Sequence, residues 1–473
     1  MVTLANVQEQ SWLFDLTAFD SVWKVILQIA LLLVFLLIGN ALRRVIPFLR
    51  KAFIPSALLG GLLLFITNLL FNLGGIELVD RRIMQIITYH ALAVGFIASS
   101  LKLVENKTKI PFIKSVQNGA ITGATYMIQA VVGLGVSLIF FAINNSFFYD
   151  AGVLLPLGFG QGPGNALTWD LNFTADTSNS FNGQGSVGLT IASIGFLVAS
   201  IVGIIYINIY RRKGQIVHKE VMFGRKVEDF ELENEIEDSE SVDKFSIQIG
   251  LVLACYAASF LIMVFFAKLT EWTGVNLFNS LAWGFNFIWG VIVATLVKLL
   301  TRFLMKKKIV KRRYINNYQM DRISGFAFDL MIIAGVAAID IKAVGDYIWF
   351  IVALSAAGTI VTIFLVRIFT KMCFKKYEHE AFLVNFGTLT GTASNGMIFL
   401  REIDPNYETP MNTIFIVSQL PAMIFVAPLL LLLQLGANSF TNCLICLGIY
   451  FALTVAYIVF LTVSSKKLAK KEG

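Results

Sequence analysis

Two glycine-rich stretches interrupt this apolar chain, AGVLLPLGFGQGPGNALT at residues 151–168 and AFLVNFGTLTGTASNGMIFL at residues 381–400. Prolines and closely spaced glycines break the first, and three glycines within a run of Thr, Ser and Asn break the second. If both crossed a membrane completely, clusters of basic residues would fall on opposite sides. As re-entrant hairpins, the first from outside and the second from inside, they keep these clusters on one side. We therefore predict two hairpins that line a cavity, where irregular backbone is tolerated.

The composition of the chain indicates an integral membrane protein. Hydrophobic residues make up 57% of its 473 residues, charged residues 14%, and the mean hydropathy is +0.74. A soluble domain has about 45–50% apolar and about 25% charged residues. These values exclude a soluble enzyme, a disordered chain and a secreted disulfide scaffold. Because the sequence also contains no HExxH, Walker A or GxSxG motif, we predict that the protein is not an enzyme.

Eleven stretches are long and apolar enough to cross a bilayer, and each must be helical to satisfy its backbone in lipid. They lie at roughly 22–42, 53–71, 83–101, 115–143, 186–210, 245–267, 278–301, 323–341, 347–370, 412–435 and 443–464.

The distribution of Lys and Arg predicts the orientation. With eleven crossings and an outside N-terminus, 31 of the 38 basic residues fall in inside loops and five in outside loops. Such an asymmetry places the C-terminus in the cytoplasm. The net charge of +8 is therefore explained by orientation towards anionic lipid, and we predict no nucleic-acid partner.

An acidic loop divides the apolar sequence into two halves with the same order of elements. Each half has four spans, a hairpin and a fifth span, but the first half starts outside and the second inside. Such inverted repeats are typical of secondary transporters. The fold class is thus all-α and polytopic, with two inverted repeats of five helices and an extra C-terminal helix. The predicted segments are an extracytoplasmic N-terminus (1–21), the first repeat (22–210, re-entrant 151–180), a cytoplasmic acidic linker (211–244), the second repeat (245–436, re-entrant 381–400) and the extra helix with a basic cytoplasmic tail (437–473).

The hairpin tips are the candidate binding site. A helix that begins at mid-membrane presents unpaired N–H groups to a substrate carboxylate, and unwound carbonyls and hydroxyls there can bind sodium. The candidate substrate-binding residues are Gly160, Gln161, Gly162, Gly164, Asn165, Gly391, Thr392, Ser394, Asn395 and Arg401. The candidate sodium ligands are Asn118, Thr122, Gln129, Thr359, Asn385, Thr388 and Thr390.

Structural interpretations of several of these residues stay open. Hydroxyls at helical spacing often bond back to their own helix. Arg401 is either an anion contact or an orienting charge that pairs with Glu402 or Asp404. Asp329 suits sodium or a proton and equally suits structural pairing.

Five stretches resemble the bacterial sodium–glutamate symporters, over roughly residues 40–436. They are RKAFIPSALLGGLLL (50–64), YMIQAVVGLGV (126–136), GFGQGPGNALTW (158–169), FDLMIIAGVAAIDI (328–341) and FGTLTGTASNGM (386–397).

The resemblance implies sodium-coupled uptake of L-glutamate by a homodimer in the bacterial inner membrane. It implies an elevator-like movement of a substrate-carrying domain, with sodium as the coupling ion and no other cofactor. The family's usual His-Gly-Thr-Gly is replaced by Gln161–Gly164, and its Gly-Ala-Thr-Pro by Gly391–Asn395. The substrate could therefore be another small anion: a related amino acid, a dicarboxylate, or citrate or malate with sodium or proton coupling. A non-transporting membrane protein with the same fold is a further alternative.

Overall fold

The computed structural model describes residues 22–51, 53–103, 111–176, 179–216, 243–274, 277–310, 312–405 and 408–472. This part of the chain is helical and contains no β-strand. The helices of the first half are α1 (Val22–Val45), α2 (Pro47–Lys51), α3 (Ser56–Leu73), α4 (Arg81–Leu101), α5 (Phe112–Ile143), α6 (Ala151–Gln161), α7 (Pro163–Ala175) and α8 (Ser186–Arg212). The predicted segment 1–21 and most of the predicted linker 211–244 lie outside the described residues.

The remaining helices follow the acidic loop. They are α9 (Lys244–Thr273), α10 (Leu277–Gly284), α11 (Asn286–Lys306), α12 (Asn317–Ala337), α13 (Ile341–Cys373), α14 (Glu378–Thr390), α15 (Ala393–Ile403), α16 (Met411–Ala437) and α17 (Phe440–Glu472).

Ten of the described helices are long and apolar enough to cross a membrane. Their outward faces carry exposed apolar side chains such as Leu37, Phe364 and Ile424, which are 64–73% exposed. Large apolar surfaces of this kind need lipid as their solvent. The fold is therefore that of a polytopic membrane protein, as the sequence predicts.

Two predicted spans differ in detail. The span 323–341 is the helix α12, which ends at Ala337 and is more polar than the ten because it carries Asp321, Arg322 and Asp329. The span 278–301 is divided at Phe285 into α10 and α11. The Phe285 side chain is buried, with its ring centroid 5.4 Å from that of Trp169 in α7. The break lets this ring pack against the first hairpin.

Most of the basic residues that the structure describes lie on one face of the helix bundle, which we call the basic rim. It is formed by the C-terminal ends of α4, α8, α11, α13 and α17 and by the helix starts beside them. Lys102 Nζ lies 2.6 Å from Asp321 Oδ1 and joins the end of α4 to the start of α12. An Arg211–Glu402 ion pair of 2.7 Å joins the end of α8 to α15. The second hairpin, α14–α15, therefore starts and ends at the basic rim.

The first hairpin, α6–α7, starts and ends at the opposite rim. The Tyr149 hydroxyl, just before α6, donates to the carbonyl of Ala437 at the end of α16. The ring of Phe148 lies 5.8 Å from that of Phe181, centroid to centroid, so the chain leaves the hairpin where it entered. The ends of α6–α7 and the ends of α14–α15 thus contact different sets of helix termini.

Helices that the sequence predicts to correspond in the two halves pack in a reciprocal pattern. Helix α3 packs on α12, and α11 packs on α4. Helices α4 and α12 also contact each other, as do α5 and α13. Helix α17 packs on α5 and α16 through one face that buries Cys443, Cys446 and Tyr450. The two cysteines are free thiols on this packed face.

Arg81 ties three elements together at the opposite rim. Its guanidinium donates to Asp340 Oδ2 at 2.7 Å, before α13, and to the Gln184 carbonyl at 2.8 Å, before α8. We expect Arg81→Gln to destabilise the fold by about 1–3 kcal/mol, because hydrogen bonds made by a charged group are lost. Thermal unfolding in detergent measures this. The control is Arg82→Gln, which removes the exposed neighbouring charge. If Arg81→Gln and Arg82→Gln lost the same stability, the hydrogen bonds of Arg81 would not be what stabilises this rim.

Asp150 is a fully buried carboxyl at the start of the first hairpin. Neither of its oxygens has a hydrogen-bond partner among the described residues. It faces Gly436 of α16, where an added Cβ would lie 2.8 Å from Oδ1, and the thiols of Cys443 and Cys446 and the phenol of Tyr450 on α17. Burial raises the pKa of Asp150 well above its ordinary value, and Cys443 offsets this only in part. Burial therefore favours the neutral form of this carboxyl.

A pH dependence of stability follows from the raised pKa of Asp150. Its contribution is fully present below the ordinary pKa of about 3.9 and is lost as the pH rises towards the folded-state pKa. Asp150→Asn keeps a neutral side chain of the same shape, so its melting temperature should fall less than that of the wild type as the pH rises. The control is Asp346→Asn at an exposed position of α13. Parallel pH profiles for the wild type and Asp150→Asn would refute the neutral carboxyl.

Candidate functional site

The first hairpin breaks at Gly162. Helix α6 ends in a π-helical turn, Leu157–Gln161, and α7 begins at Pro163. Gly162 has φ +84° and ψ −173°, a backbone conformation that is essentially restricted to glycine. Asn165 Nδ2 donates to Gln161 Oε1 at 2.5 Å across the break. The sequence signal of closely spaced glycines and a proline therefore locates a real interruption of the helix.

The second hairpin breaks at Gly391 and Thr392, between α14 and α15. Its arms are in close contact, because a Cβ added at Gly387 would lie 2.9 Å from the Cα of Gly396. Asn395 is buried one turn after the break, and Ser394 is exposed. Glycine at the crossing point lets the two backbones approach closely.

The two breaks meet in the interior of the bundle. A Cβ added at Gly162 would lie 3.5 Å from Thr392 Cγ2, 3.9 Å from the Gly391 carbonyl oxygen and 3.6 Å from the Met331 methyl group. Of the predicted substrate-binding residues, the structure thus places Gly162 against Gly391 and Thr392. The others lie within three residues of these positions in the chain: Gly160, Gln161, Gly164, Asn165, Ser394 and Asn395. We call this junction the tip site.

Three buried polar atoms at the tip site have no hydrogen-bond partner among the described residues. They are Thr392 Oγ1, Asn395 Nδ2 and Gln129 Oε1. Their side chains are 8%, 5% and 0% exposed. Gln129, on α5, donates its amide to the Leu389 carbonyl at 3.2 Å and to the Thr362 hydroxyl at 2.8 Å. A buried polar atom without a partner costs about 1–3 kcal/mol, so such a group needs a specific reason.

Helix termini of both kinds converge at the tip site. Helices α7 and α15 begin there, and neither N-terminus receives a side-chain cap from its N-cap residue, Gly162 or Thr392. Uncapped N–H groups carry a partial positive charge. Helices α6 and α14 end there and contribute carbonyl groups. The site therefore offers donors to an anion and neutral oxygens to a cation.

The predicted sodium ligands other than Gln129 have partners elsewhere. Asn385 Nδ2 donates to Asn118 Oδ1 at 2.8 Å, and Asn118 Nδ2 donates to the Ser418 hydroxyl at 2.9 Å. These three residues join α14, α5 and α16. The hydroxyls of the predicted ligands Thr122, Thr359, Thr388 and Thr390 donate to carbonyls of their own helices.

Arg401 is exposed at the far end of α15 from the tip site. Nine residues separate it from Thr392, or roughly 13 Å along a helix. Glu402 pairs with Arg211, and Asp404 accepts from the backbone N–H groups of Glu408 and Thr409. The guanidinium therefore lies at the basic rim, away from the junction of the hairpins.

Asp170 anchors the first hairpin and is not among the residues predicted from the sequence. It is fully buried in α7, and its carboxylate accepts from the N–H groups of Gly185 and Gly188 at 2.7 Å each. These groups belong to the start of α8, where a negative charge is stabilised. The signal in the sequence is a carboxylate next to Trp169 within an apolar stretch.

Asp329 lies on α12 and is partly exposed. Among the described residues it has no hydrogen-bond or ion-pair partner. His90, its counterpart on α4, contacts the Tyr256 hydroxyl of α9 at 2.6 Å. The structure does not pair these two residues.

Comparisons with known proteins add no family assignment. No protein-family model and no curated protein matches the chain. The likeness to sodium–glutamate symporters therefore rests on the five motifs alone, and the function must be argued from the tip site.

Proposed function

We propose that this protein is a secondary active transporter that binds a small anionic substrate at the tip site. The observation that carries the proposal is the meeting of two broken helices, one from each half of the chain, around three buried polar atoms without partners. Paired broken helices of this kind mark transporter binding sites. In this proposal the hairpins are re-entrant, and the halves form an inverted repeat in the bacterial inner membrane, with the basic rim in the cytoplasm.

The charge of the tip site favours a substrate with about one net negative charge. No Lys or Arg occurs in residues 151–185 or 381–400. Each helix N-terminus contributes about half a positive charge, so two termini supply about one. L-Glutamate and aspartate carry a net charge of about −1 at neutral pH, because both carboxylates are ionised and the amine is protonated. Citrate carries more negative charge than the two termini offset. We therefore propose an anionic amino acid and place citrate or malate second.

Neutral oxygens at the same site support sodium coupling. Gln129 Oε1 and Thr392 Oγ1 are buried oxygen atoms that accept no hydrogen bond from any residue in the described part of the chain. Hard cations such as sodium prefer oxygen ligands, and neutral ligands bind weakly enough to release the ion. A bound cation also offsets the charge of a second carboxylate. We propose sodium as the coupling ion, with proton coupling as the alternative.

The exchange of packing partners between the halves supports an alternating-access mechanism. In an inverted repeat, the two halves can swap conformations and so open the same site to either side in turn. The substrate-carrying elements would be the two hairpins, moving against a scaffold in an elevator-like motion.

Uptake by purified protein in proteoliposomes tests the function. We expect an inward sodium gradient to drive accumulation of labelled L-glutamate or aspartate, and citrate or malate to a smaller extent. A potassium gradient of equal size is the control for ion specificity. Accumulation with a proton gradient alone would assign proton coupling. If no gradient drove uptake of any of the four compounds, the transporter proposal would be refuted.

A further inference from the structure

A cavity lies at the basic rim, away from the tip site. Its volume is about 460 Å³, and it lies between the start of α5 and the C-terminal ends of α13 and α17. Pockets of about 300–1,000 Å³ are large enough to hold a small ligand or a lipid head group. We call it the lysine pocket, after the four lysines that line it: Lys114, Lys375, Lys376 and Lys466.

The lysine pocket carries a concentrated positive charge. Among the residues that the structure describes, its lining contains no Asp or Glu. Lys375, Lys376 and Lys466 make no hydrogen bond or ion pair with any residue that the structure describes, and they are exposed. Lys114 is partly buried at the base, where its Nζ donates to the Cys373 carbonyl at 2.9 Å and lies 5.8 Å from the centre of the Phe374 ring. Four ammonium groups around one cavity favour an anion with several negatively charged oxygens.

The two aliphatic hydroxyl groups of the lining are already occupied. The Ser465 hydroxyl donates to the Met372 carbonyl at 2.7 Å, and the Thr462 hydroxyl donates to the Ile458 carbonyl at 2.8 Å. Recognition therefore depends on the lysines, which act as flexible point charges. Such donors suit a phosphate group, which accepts from several directions.

The apolar side of the lysine pocket indicates the source of that phosphate. Met372 and Leu468 line the cavity beside the lysines. Towards the middle of the bundle, the two helices of the pocket expose apolar side chains, including Ile368 on α13 and Val463 on α17. A phosphate above an exposed apolar helix surface matches a lipid whose acyl chains lie along these helices. Basic pockets between helices on the cytoplasmic side commonly bind anionic head groups.

We propose that the lysine pocket binds the phosphate head group of an anionic phospholipid. The site is separate from the tip site, so it does not depend on the transported substrate. Bound lipid would join α5, α13 and α17 at the basic rim and attach the extra helix α17 to the rest of the bundle.

Native mass spectrometry of the full-length protein tests the proposal. The protein is purified in micelles that contain phosphatidylcholine, phosphatidylglycerol and cardiolipin, and the retained lipids are counted. We expect the wild type to retain phosphatidylglycerol or cardiolipin in preference to phosphatidylcholine. The triple variant Lys375→Gln/Lys376→Gln/Lys466→Gln should lower this retention at least about tenfold, since each basic residue near a membrane surface adds to binding.

A matched control separates the pocket from the general charge of the rim. Lys306→Gln/Lys307→Gln/Lys308→Gln removes three charges at the end of α11 and should leave retention unchanged. If both triple variants lost anionic lipid equally, the proposal would be overturned. It would also be overturned if the wild type retained phosphatidylcholine as well as it retains phosphatidylglycerol or cardiolipin. Displacement of the lipid by added inorganic phosphate at equal concentration would assign the pocket to a soluble anion instead. Circular dichroism establishes that each variant is folded.

Discussion

Thr392→Val should reduce substrate uptake at least about tenfold without loss of folded protein. The hydroxyl of Thr392 is buried and has no partner among the described residues. A hydrogen bond to a charged ligand contributes about 1.5–3 kcal/mol, which corresponds to roughly 10–150-fold in affinity. Because valine has nearly the same shape, it removes the polar atom and leaves the packing. Initial uptake rates in proteoliposomes over a range of substrate and sodium concentrations measure the effect.

The stability of the same variant separates a ligand role from a structural role. The Thr392 hydroxyl is buried and has no partner among the described residues, so its removal should not lower the melting temperature. The free energy of unfolding should stay unchanged or rise by up to about 1–3 kcal/mol. Thr392→Ser should restore uptake. The control is Thr454→Val in α17, where a buried hydroxyl donates to the Tyr450 carbonyl, and we expect full uptake there. Normal uptake by Thr392→Val would show that the hydroxyl binds neither substrate nor sodium.

Gly133→Val should disrupt the packing of the first hairpin against α5. A Cβ added at Gly133 would overlap the carbonyl group of Gly152, and a Cβ at Gly152 would overlap that of Gly133. The obstacle is backbone on both sides, so no side chain can rotate away. We expect a loss of about 2–4 kcal/mol in stability, or misplacement of the hairpin with loss of uptake. Thermal unfolding and uptake of the same preparation measure both effects.

A glycine two residues further along α5 provides the matched control. No atom of a described residue outside the neighbouring helix backbone lies within 4 Å of a Cβ added at Gly135. Gly135→Ala should therefore be neutral, or stabilising by about 0.5–1 kcal/mol through helix propensity. Equal stabilities of the variants at positions 133 and 135 would show that the close crossing of α5 and the first hairpin does not exist.

The positions of the long helices could be predicted from the sequence because bilayer thickness sets their length. The break within 278–301 could not, since it depends on the contact between Phe285 and Trp169, which are far apart in the chain. Likewise, α12 is more polar than the ten apolar helices because it carries Asp321, Arg322 and Asp329, although half of its residues are buried against other helices. The composition of a helix therefore predicts its exposure to lipid more directly than its packing against other helices.

The breaks at Gly162 and Gly391 were predictable because local glycines and a proline disrupt a helix. That the two breaks meet depends on tertiary packing, which no local pattern encodes. For the same reason, the sequence could not distinguish Gln129, which reaches the tip site, from Asn118, which bonds to Asn385 and Ser418. Both candidates are polar residues in apolar helices, and only their partners differ.

Labelling with a charged, membrane-impermeant thiol reagent tests most directly whether the hairpin tips line an aqueous site inside the membrane. Gln161→Cys and Ser394→Cys place a thiol at each tip, in a background from which the four buried native cysteines have been removed. Ile424→Cys, at an exposed position midway along α16, is the lipid-facing control. We predict that residues 161 and 394 react, that the transported substrate protects both, and that residue 424 does not react. If the two tip positions were as unreactive as position 424, the tip site would be closed to water and the account would be contradicted.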